Sequence, residues 1–380
     1  MAEVLIIGGG VIGLALARQL HKKGVEKITI LERGKLGQEA SHAAAGMLAP
    51  NAETEKQDDF FHLCSDSNKL YPKFAAELSD ETGVDIELDQ SGTLYLAFTD
   101  SDVTEIRRRY ERQRENGWQV EHLTGREIGK IEPFISPYVR EGLFFPNDWQ
   151  VENRKLLYAL QKYALLNRIE TYENTEIKYL LIENGKTTGA ETKTEKFLAE
   201  KVILATGAWT SFIKAGDFQI PKVMPVRGQM LSFQTSKRLF QKVIYSPRGY
   251  IVPRMDGRIL TGATVEDVGF DKSVTPGGID LLVENALEIA PHLVNLEWSE
   301  KWAGLRPRSA DGLPILGAFS GIENLFIATA HYRNGILLAP LTAKILADKI
   351  VGNAESKYLE IFSPRRFQKL AVSNAEARTK

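Results

Sequence analysis

Thiols are nearly absent from this chain of 380 residues: Cys64 is its single cysteine. No intrachain disulfide can form and no thiolate metal site can be assembled, so a reducing setting, the cytoplasm, is expected. An excess of one charge is missing too. Lys and Arg number 48 against 49 Asp and Glu, a formal net charge of −1 with no long basic cluster, so nucleic acid is not an expected partner. No apolar run reaches the roughly eighteen residues needed to span a bilayer, and no membrane partner is expected either. The stretch from Val4 to Ala17 follows Glu3 rather than a basic segment and is broken by three consecutive glycines, which argues against a signal-peptide core. Repeats and low-complexity segments are likewise lacking. Length is plentiful: single cores stop growing beyond about 250–300 residues, so two domains are expected, with 43% hydrophobic residues to fill both.

Residues 4 to 32 carry the most information. Val4-Leu5-Ile6-Ile7 reads as a buried strand, Gly8-Gly9-Gly10-Val11-Ile12-Gly13 as a glycine-rich turn into a helix, and Ile28 to Leu31 as a second strand ending in Glu32. This is the pattern of a βαβ dinucleotide-binding unit. Gly8 permits the tight turn, Gly10 lets the backbone approach a pyrophosphate, and Gly13 lets the helix pack on the sheet. The phosphates then meet the positive end of the helix dipole. Glu32 stands where an acid accepts the hydroxyls of an adenosine ribose, and it would repel a phosphorylated one, which argues against NADP. The motif alone leaves NAD and FAD open.

Farther along, a loop of small residues runs from Ala40 to Pro50, and Phe60 to Leu78 is an amphipathic helix. Thr93 to Phe98 alternates as a strand. Asp102 to Asn116 is a charged helix expected to be largely solvated, and Thr124-Gly125-Arg126-Glu127 is a capping box. A helix from Asn153 to Leu166 precedes short strands around Ile177 to Ile182 and Thr187 to Thr192, joined by the turn Asn184-Gly185. Lys201 to Trp209 reads as a buried parallel strand ending in Thr-Gly. From Val223 to Gly262 the signal is antiparallel, Pro276 to Leu287 is a helix capped by Thr275, and Trp298 to Leu305 is a strand. Leu325 to Ala328 is a further buried strand, and the polar loop after it leads into the apolar helix Ile336 to Ile350.

Three distant segments end buried strands in small residues: Gly8 to Gly13, Ala205 to Gly207 and Ala328 to Gly335. Any one of them can be small for packing alone. Together they imply one extended ligand lying across the carboxyl ends of a sheet, as in doubly wound folds.

With these segments, Ser41-His42-Ala43-Ala44-Ala45-Gly46-Met47-Leu48, Ala205-Thr206-Gly207-Ala208-Trp209, Trp302-Ala303-Gly304-Leu305-Arg306-Pro307 with Asp311-Gly312-Leu313-Pro314, and Gly335-Ile336-Leu337-Leu338-Ala339-Pro340, the chain resembles the FAD-dependent D-amino-acid-oxidase superfamily. Within it, the stretches Ala43 to Leu48 and His331 to Pro340 are most similar to the bacterial glycine oxidases of thiamine biosynthesis. The resemblance runs from about residue 3 to about residue 350. It implies an α/β fold, a doubly wound, Rossmann-like FAD-binding domain interleaved with an antiparallel-sheet α+β substrate domain. The expected division is 1–82, 141–215 and 302–380 for FAD against 83–140 and 216–301 for substrate.

The resemblance also implies roles. Val11, Ile12, Glu32 and Arg33 contact the ADP half of FAD, and Ala40, Ser41, Ala45, Gly46 and Met47 follow the pyrophosphate and flavin. Ile177 meets adenine, Gly207 belongs to the second strand end, and His331, Tyr332, Arg333, Asn334, Gly335, Ile336 and Leu337 form the loop at the pyrimidine edge of the flavin. Amides at that helix start favour negative charge on a reduced flavin. Arg306 is the expected anchor of a substrate carboxylate, since a guanidinium offers two parallel hydrogen bonds that lysine cannot. Tyr250 adds a hydroxyl, with strand filler as its alternative reading, and Arg333 is a second substrate-side position. Val265 and Arg248 depart from the family pattern near the cleft mouth and bear on specificity. Cys64 lies outside the region where sarcosine-oxidase relatives tether flavin, so FAD is expected to be noncovalent. The implied reaction is oxidation of glycine, sarcosine or small D-amino acids to an imine and then an oxoacid, ammonia and hydrogen peroxide, with dioxygen as acceptor and no residue acting as acid or base. The alternatives are a D-amino-acid dehydrogenase feeding a quinone and a flavin-binding module without turnover. A homotetramer is implied by resemblance alone.

Overall fold

Four consecutive apolar residues call for a strand covered on both faces. Ala2–Ile7 is that strand, running parallel to Ile28–Leu31 on one side and to Lys196–Leu204 on the other. The computed structural model describes residues 1–54 and 56–367. Its first sheet runs in the order Ile315–Ala318, Leu325–Thr329, Lys196–Leu204, Ala2–Ile7, Ile28–Leu31, Glu170–Tyr172, with only the first pair antiparallel. A hairpin of Tyr179–Glu183 and Lys186–Glu191 extends it from the first half of Lys196–Leu204. The turn lies at Asn184 and Gly185, whose φ values of 51° and 76° suit a tight hairpin.

Side chains alternate across this sheet. Val4, Ile6 and Ile203 face the helices Val11–Lys22, Asp59–Thr82, Asn153–Leu166 and Gly335–Gly352, while Leu5, Ile7, Val202 and Leu204 pack with Ile177 and Ile327 on the other face. Apolar burial on both faces is what holds the glycine turn and the two other strand ends in one row.

The second sheet has the order Trp298–Ser309, Val223–Gln234, Arg258–Gly262, Tyr250–Pro253, Val243–Tyr245, Thr93–Ala97, Glu141–Phe145, Glu121–Thr124. It is antiparallel except between Val243–Tyr245 and Thr93–Ala97. Helix Pro276–Ile289 covers one face through Ile279, Leu282, Ala286 and Ile289. Met230, Tyr245, Tyr250 and Val252 line the other, packed against Ala45, Ala49 and Ala52. That face looks onto the cavity.

Glu141–Phe145 and all of Trp298–Ser309, near the expected divisions at 141 and 302, belong to the antiparallel sheet. Residues 368–380 of the expected last segment lie outside the described residues. Arg306 does not follow a strand but sits within one, paired across from Val226, since Pro307 tolerates a strand position that needs no amide donor. The charged helix, Asp100–Glu115, is not solvated all round: Val103, Ile106, Arg109 and Gln113 are buried at helical spacing, and two polar members of that face hid it.

Candidate functional site

A cavity enclosing about 1690 Å³, its open mouth included, runs along the carboxyl ends of Ala2–Ile7, Lys196–Leu204 and Leu325–Thr329 and ends against the second sheet. Its course along three strand ends to the second sheet suits an extended ligand.

Gly8 has φ +113°, and a Cβ there would come within 2.3 Å of the Ala205 carbonyl oxygen, so only glycine lets the first strand end abut the second. Gly10 caps helix Val11–Lys22. The Val11 amide at the positive end of that helix donates to Ser41 Oγ at 3.1 Å. Glu32 is buried, and its carboxylate accepts from the Gly9 amide at 2.8 Å and the Gly34 amide at 2.9 Å while still lining the cavity. A carboxylate has about four lone-pair sites, so acceptor capacity is left. Around it stand Ile177 and Arg33, whose guanidinium lies 4.2 Å from the Trp209 ring centroid. Ala40, Ser41, Ala45, Gly46 and Met47 line the middle, and Gly207 faces open space.

The loop after Leu325–Thr329 is the other wall. Ala330 and Tyr332 adopt φ of 57° and 48°, left-handed conformations that cost free energy in residues with a side chain and persist only where the surroundings impose them. Tyr71 and Ser67 hold the following helix start by donating to the carbonyls of Ile336 at 2.5 Å and Leu337 at 2.7 Å. His331 is buried at the cavity wall, and burial pulls its pKa down to about 3, so the ring is neutral near pH 7. Positive field here comes from the helix start and from Arg333, not from an imidazolium.

At the inner end, Arg306 Nη1 donates to the Thr264 carbonyl at 3.1 Å. Its guanidinium lies where a side chain on Gly228 would be, since a Cβ there would fall 2.2 Å from Nη1. Tyr250 donates to Met230 Sδ at 3.3 Å, and burial pushes the phenol pKa up, keeping it a hydrogen-bond donor. Arg333 pairs with Glu53 at 3.3 Å, and Glu53 also accepts the Tyr245 hydroxyl. Beyond this pair lies a second hollow, lined by Tyr95, Arg109, Tyr245, Pro247, Tyr332 and Asn334.

Among the expected site residues, Gly13, Asn334 and Leu337 are not on the main cavity wall. Gly13 packs on the carbonyl of Gly8, Asn334 faces the second hollow, and Leu337 is buried under the helix start. Val265 and Arg248 do not line it either. Val265 is exposed, and Arg248 is drawn to Glu288 and Asp102. Glu53, Gly228, Met230 and Trp209 do line it and carried no expectation as site residues. Of these, Gly228 had a readable signal: a glycine inside a long strand often marks a close approach.

The donor set fits a flavin dinucleotide: an acid with spare acceptor capacity at one end, helix-start amides between small residues in the middle, and a cationic chamber at the other. A sequence profile of the family described as "FAD dependent oxidoreductase" matches residues 3–349. The chain belongs to that family. It is 36% identical to a glycine oxidase of Geobacillus kaustophilus, over 92% of this chain and 92% of the relative. It is 38% identical to a bifunctional protein ThiO/ThiG of Trichormus variabilis, over 97% of this chain but only 56% of that relative, so the chain spans about half the length of the bifunctional protein. The crystal structure of the Geobacillus kaustophilus glycine oxidase superposes with a TM-score of 0.88 at 34% identity, covering 95% of this chain and 97% of that one. The family's cofactor is FAD, and the mixed α/β fold is the one this family shares. Among the described residues no cluster of side chains suits a metal ion, and no helix is long and apolar enough to cross a membrane.

Proposed function

We propose that this FAD-dependent oxidoreductase oxidises glycine, and with it sarcosine and small D-amino acids, to the imine, which water hydrolyses to the oxoacid and ammonia. We propose further that it serves the thiazole branch of thiamine biosynthesis. The observation that carries the reading is Arg306: a guanidinium lining the inner chamber beside Tyr250, bonded to carbonyls and, among the described residues, to no carboxylate.

A substrate carboxylate meets Arg306 through two parallel hydrogen bonds, and the Tyr250 hydroxyl adds a third. This fixes the α-carbon, and orientation of that kind supplies a large part of a rate enhancement. The chemistry that bound FAD supplies is two-electron oxidation of the amine, with dioxygen as final acceptor and hydrogen peroxide as product. Gly8, Gly10, Val11, Ser41, Glu32, Arg33, Ile177 and the start of helix Gly335–Gly352 would hold it. The reading assigns no acid or base: Glu53 is engaged by Arg333 and Tyr245, and His331 is neutral and buried. A substrate bound with its amine unprotonated needs neither.

The reading includes a discontinuous two-domain division along the two sheets, a cytoplasmic setting suggested by the single buried thiol, and a homotetramer suggested by resemblance. Oxygen uptake by the FAD-loaded protein tests the activity. Glycine, sarcosine or D-alanine should consume dioxygen and yield equimolar peroxide. Reduction of a quinone with no oxygen uptake would overturn the oxidase reading, and no turnover of any small amine would overturn the enzyme reading.

A further inference from the structure

Two guanidinium groups reach the inner chamber, and only one is answered by a carboxylate. Glu53 Oε1 lies 3.3 Å from Arg333 Nη2. Among the described residues, no Asp or Glu oxygen comes within 4.0 Å of Arg306. Tyr250 is within electrostatic reach of Arg306, Arg333 and Glu53 together, so the three charges share one small space. Glu53 holds the Arg333 pKa above its ordinary value, so that guanidinium keeps its charge.

Glu53 is deliberately placed. It ends the helix Pro50–Glu53, which at four residues is too short to hold its own shape. Fully buried Asp148 accepts from the amides of Asn51 at 3.1 Å and Ala52 at 2.6 Å. Arg109 Nη2 donates to the carbonyls of the same two residues at 2.8 and 2.6 Å. Held from both sides, the short helix aims its last side chain at Arg333.

We propose that Glu53 is a specificity-determining residue: by neutralising Arg333 it leaves Arg306, among the described residues, as the chamber's one available carboxylate-binding cation, and so selects amino acids with one carboxylate over those with two. The inference rests on the assignment of Arg306 above. A second substrate carboxylate would have to displace Glu53 from Arg333 and then lie beside it, a like-charge juxtaposition that disfavours the wrong ligand. Glu53→Gln keeps the shape and an acceptor for Tyr245 while freeing Arg333.

Calorimetric titration of the FAD-loaded protein with acetate and with malonate reads this balance without turnover. The wild-type chain should bind malonate no more tightly than acetate. In Glu53→Gln the affinity ratio should move toward malonate by about tenfold or more, and Glu53→Gln with Arg333→Gln should cancel the gain. The ratio of kcat/KM for D-aspartate over D-alanine should follow. Glu53→Asp, which keeps the charge, should keep the wild-type ratio. A wild-type preference for malonate overturns the proposal even if the glutamine variant fails to fold. So does a rise in the aspartate variant, a shift below about twofold in Glu53→Gln, or a gain that survives loss of Arg333. Failure to oxidise glycine would instead overturn the activity and leave the measured charge balance standing.

Discussion

Arg306 and Arg333 differ in company rather than in chemistry, and company decides what each can do. Removing one partner of an enclosed, hydrogen-bonded charge pair costs about 2–5 kcal/mol, or roughly thirty- to several-thousandfold. Arg306→Leu should therefore raise the KM for glycine by that order with the flavin spectrum unchanged, and Arg306→Lys should recover only part of it. Oxidation of a simple primary amine is the control; an equal loss there would make Arg306 structural. Glu32→Ala should raise the FAD dissociation constant at least about tenfold, since bonds to a charged acceptor contribute about 1.5–3 kcal/mol each. Fluorescence titration of the apoprotein checks it. That Arg306, Tyr250 and Glu32 stand on the cavity wall was legible because each lies at or near a strand or strand end that its neighbours announce. Glu53 was not: its place depends on Asp148 and Arg109, 95 and 56 positions away, and nothing local to Pro50–Glu53 records them.

Among the elements, helix Asp100–Glu115 links the surface to the chamber, because it carries the Arg109 that grips Pro50–Glu53. Its first turn is closed by a capping box between Thr99 and Asp102. Burial alone would raise the Asp102 pKa, but hydrogen bonds from Arg248 and from the Thr99 and Phe98 amides outweigh it and hold the carboxyl at about 2. With the folded value below the unfolded one, the stabilisation is fully present above about pH 4 and is lost as pH falls through about 2. Asp102→Asn should thus lower the melting temperature at pH 7, and the gap to wild type should close between pH 4 and pH 2, as circular dichroism can follow. A gap independent of pH would deny the charge its role. Elements with a strong period were readable: Asn153–Leu166 and the strands Thr93–Ala97 and Tyr250–Pro253 fall where the pattern puts them. The strand expected over Lys201 to Trp209 ends at Leu204, and Gly207 to Trp209 instead open the short tight helix Gly207–Phe212, because their small and apolar residues continue an apolar run while the turn is imposed by contacts.

For the whole molecule, the cavity wall and the single thiol are separate features. Cys64 is 1% exposed and does not line the cavity, and burial raises its pKa well above the usual thiol value. Acid precipitation should therefore leave intact FAD in the supernatant, identified by absorbance and mass; flavin retained in the pellet would mean a covalent link from another residue. The order of the first sheet has a different kind of consequence. Ala2–Ile7 pairs with Ile28–Leu31 almost at once, but its other neighbour, Lys196–Leu204, and the strand beyond that, Leu325–Thr329, come far later in the chain. At about 5–20 residues per second, a ribosome needs on the order of ten to forty seconds to deliver the first of these and longer for the second. During that interval a nearly all-apolar strand waits with one edge open, and the nascent chain must be shielded or pair wrongly. The same long-range pairing that lines up three strand ends for one ligand makes the finished protein slow to assemble.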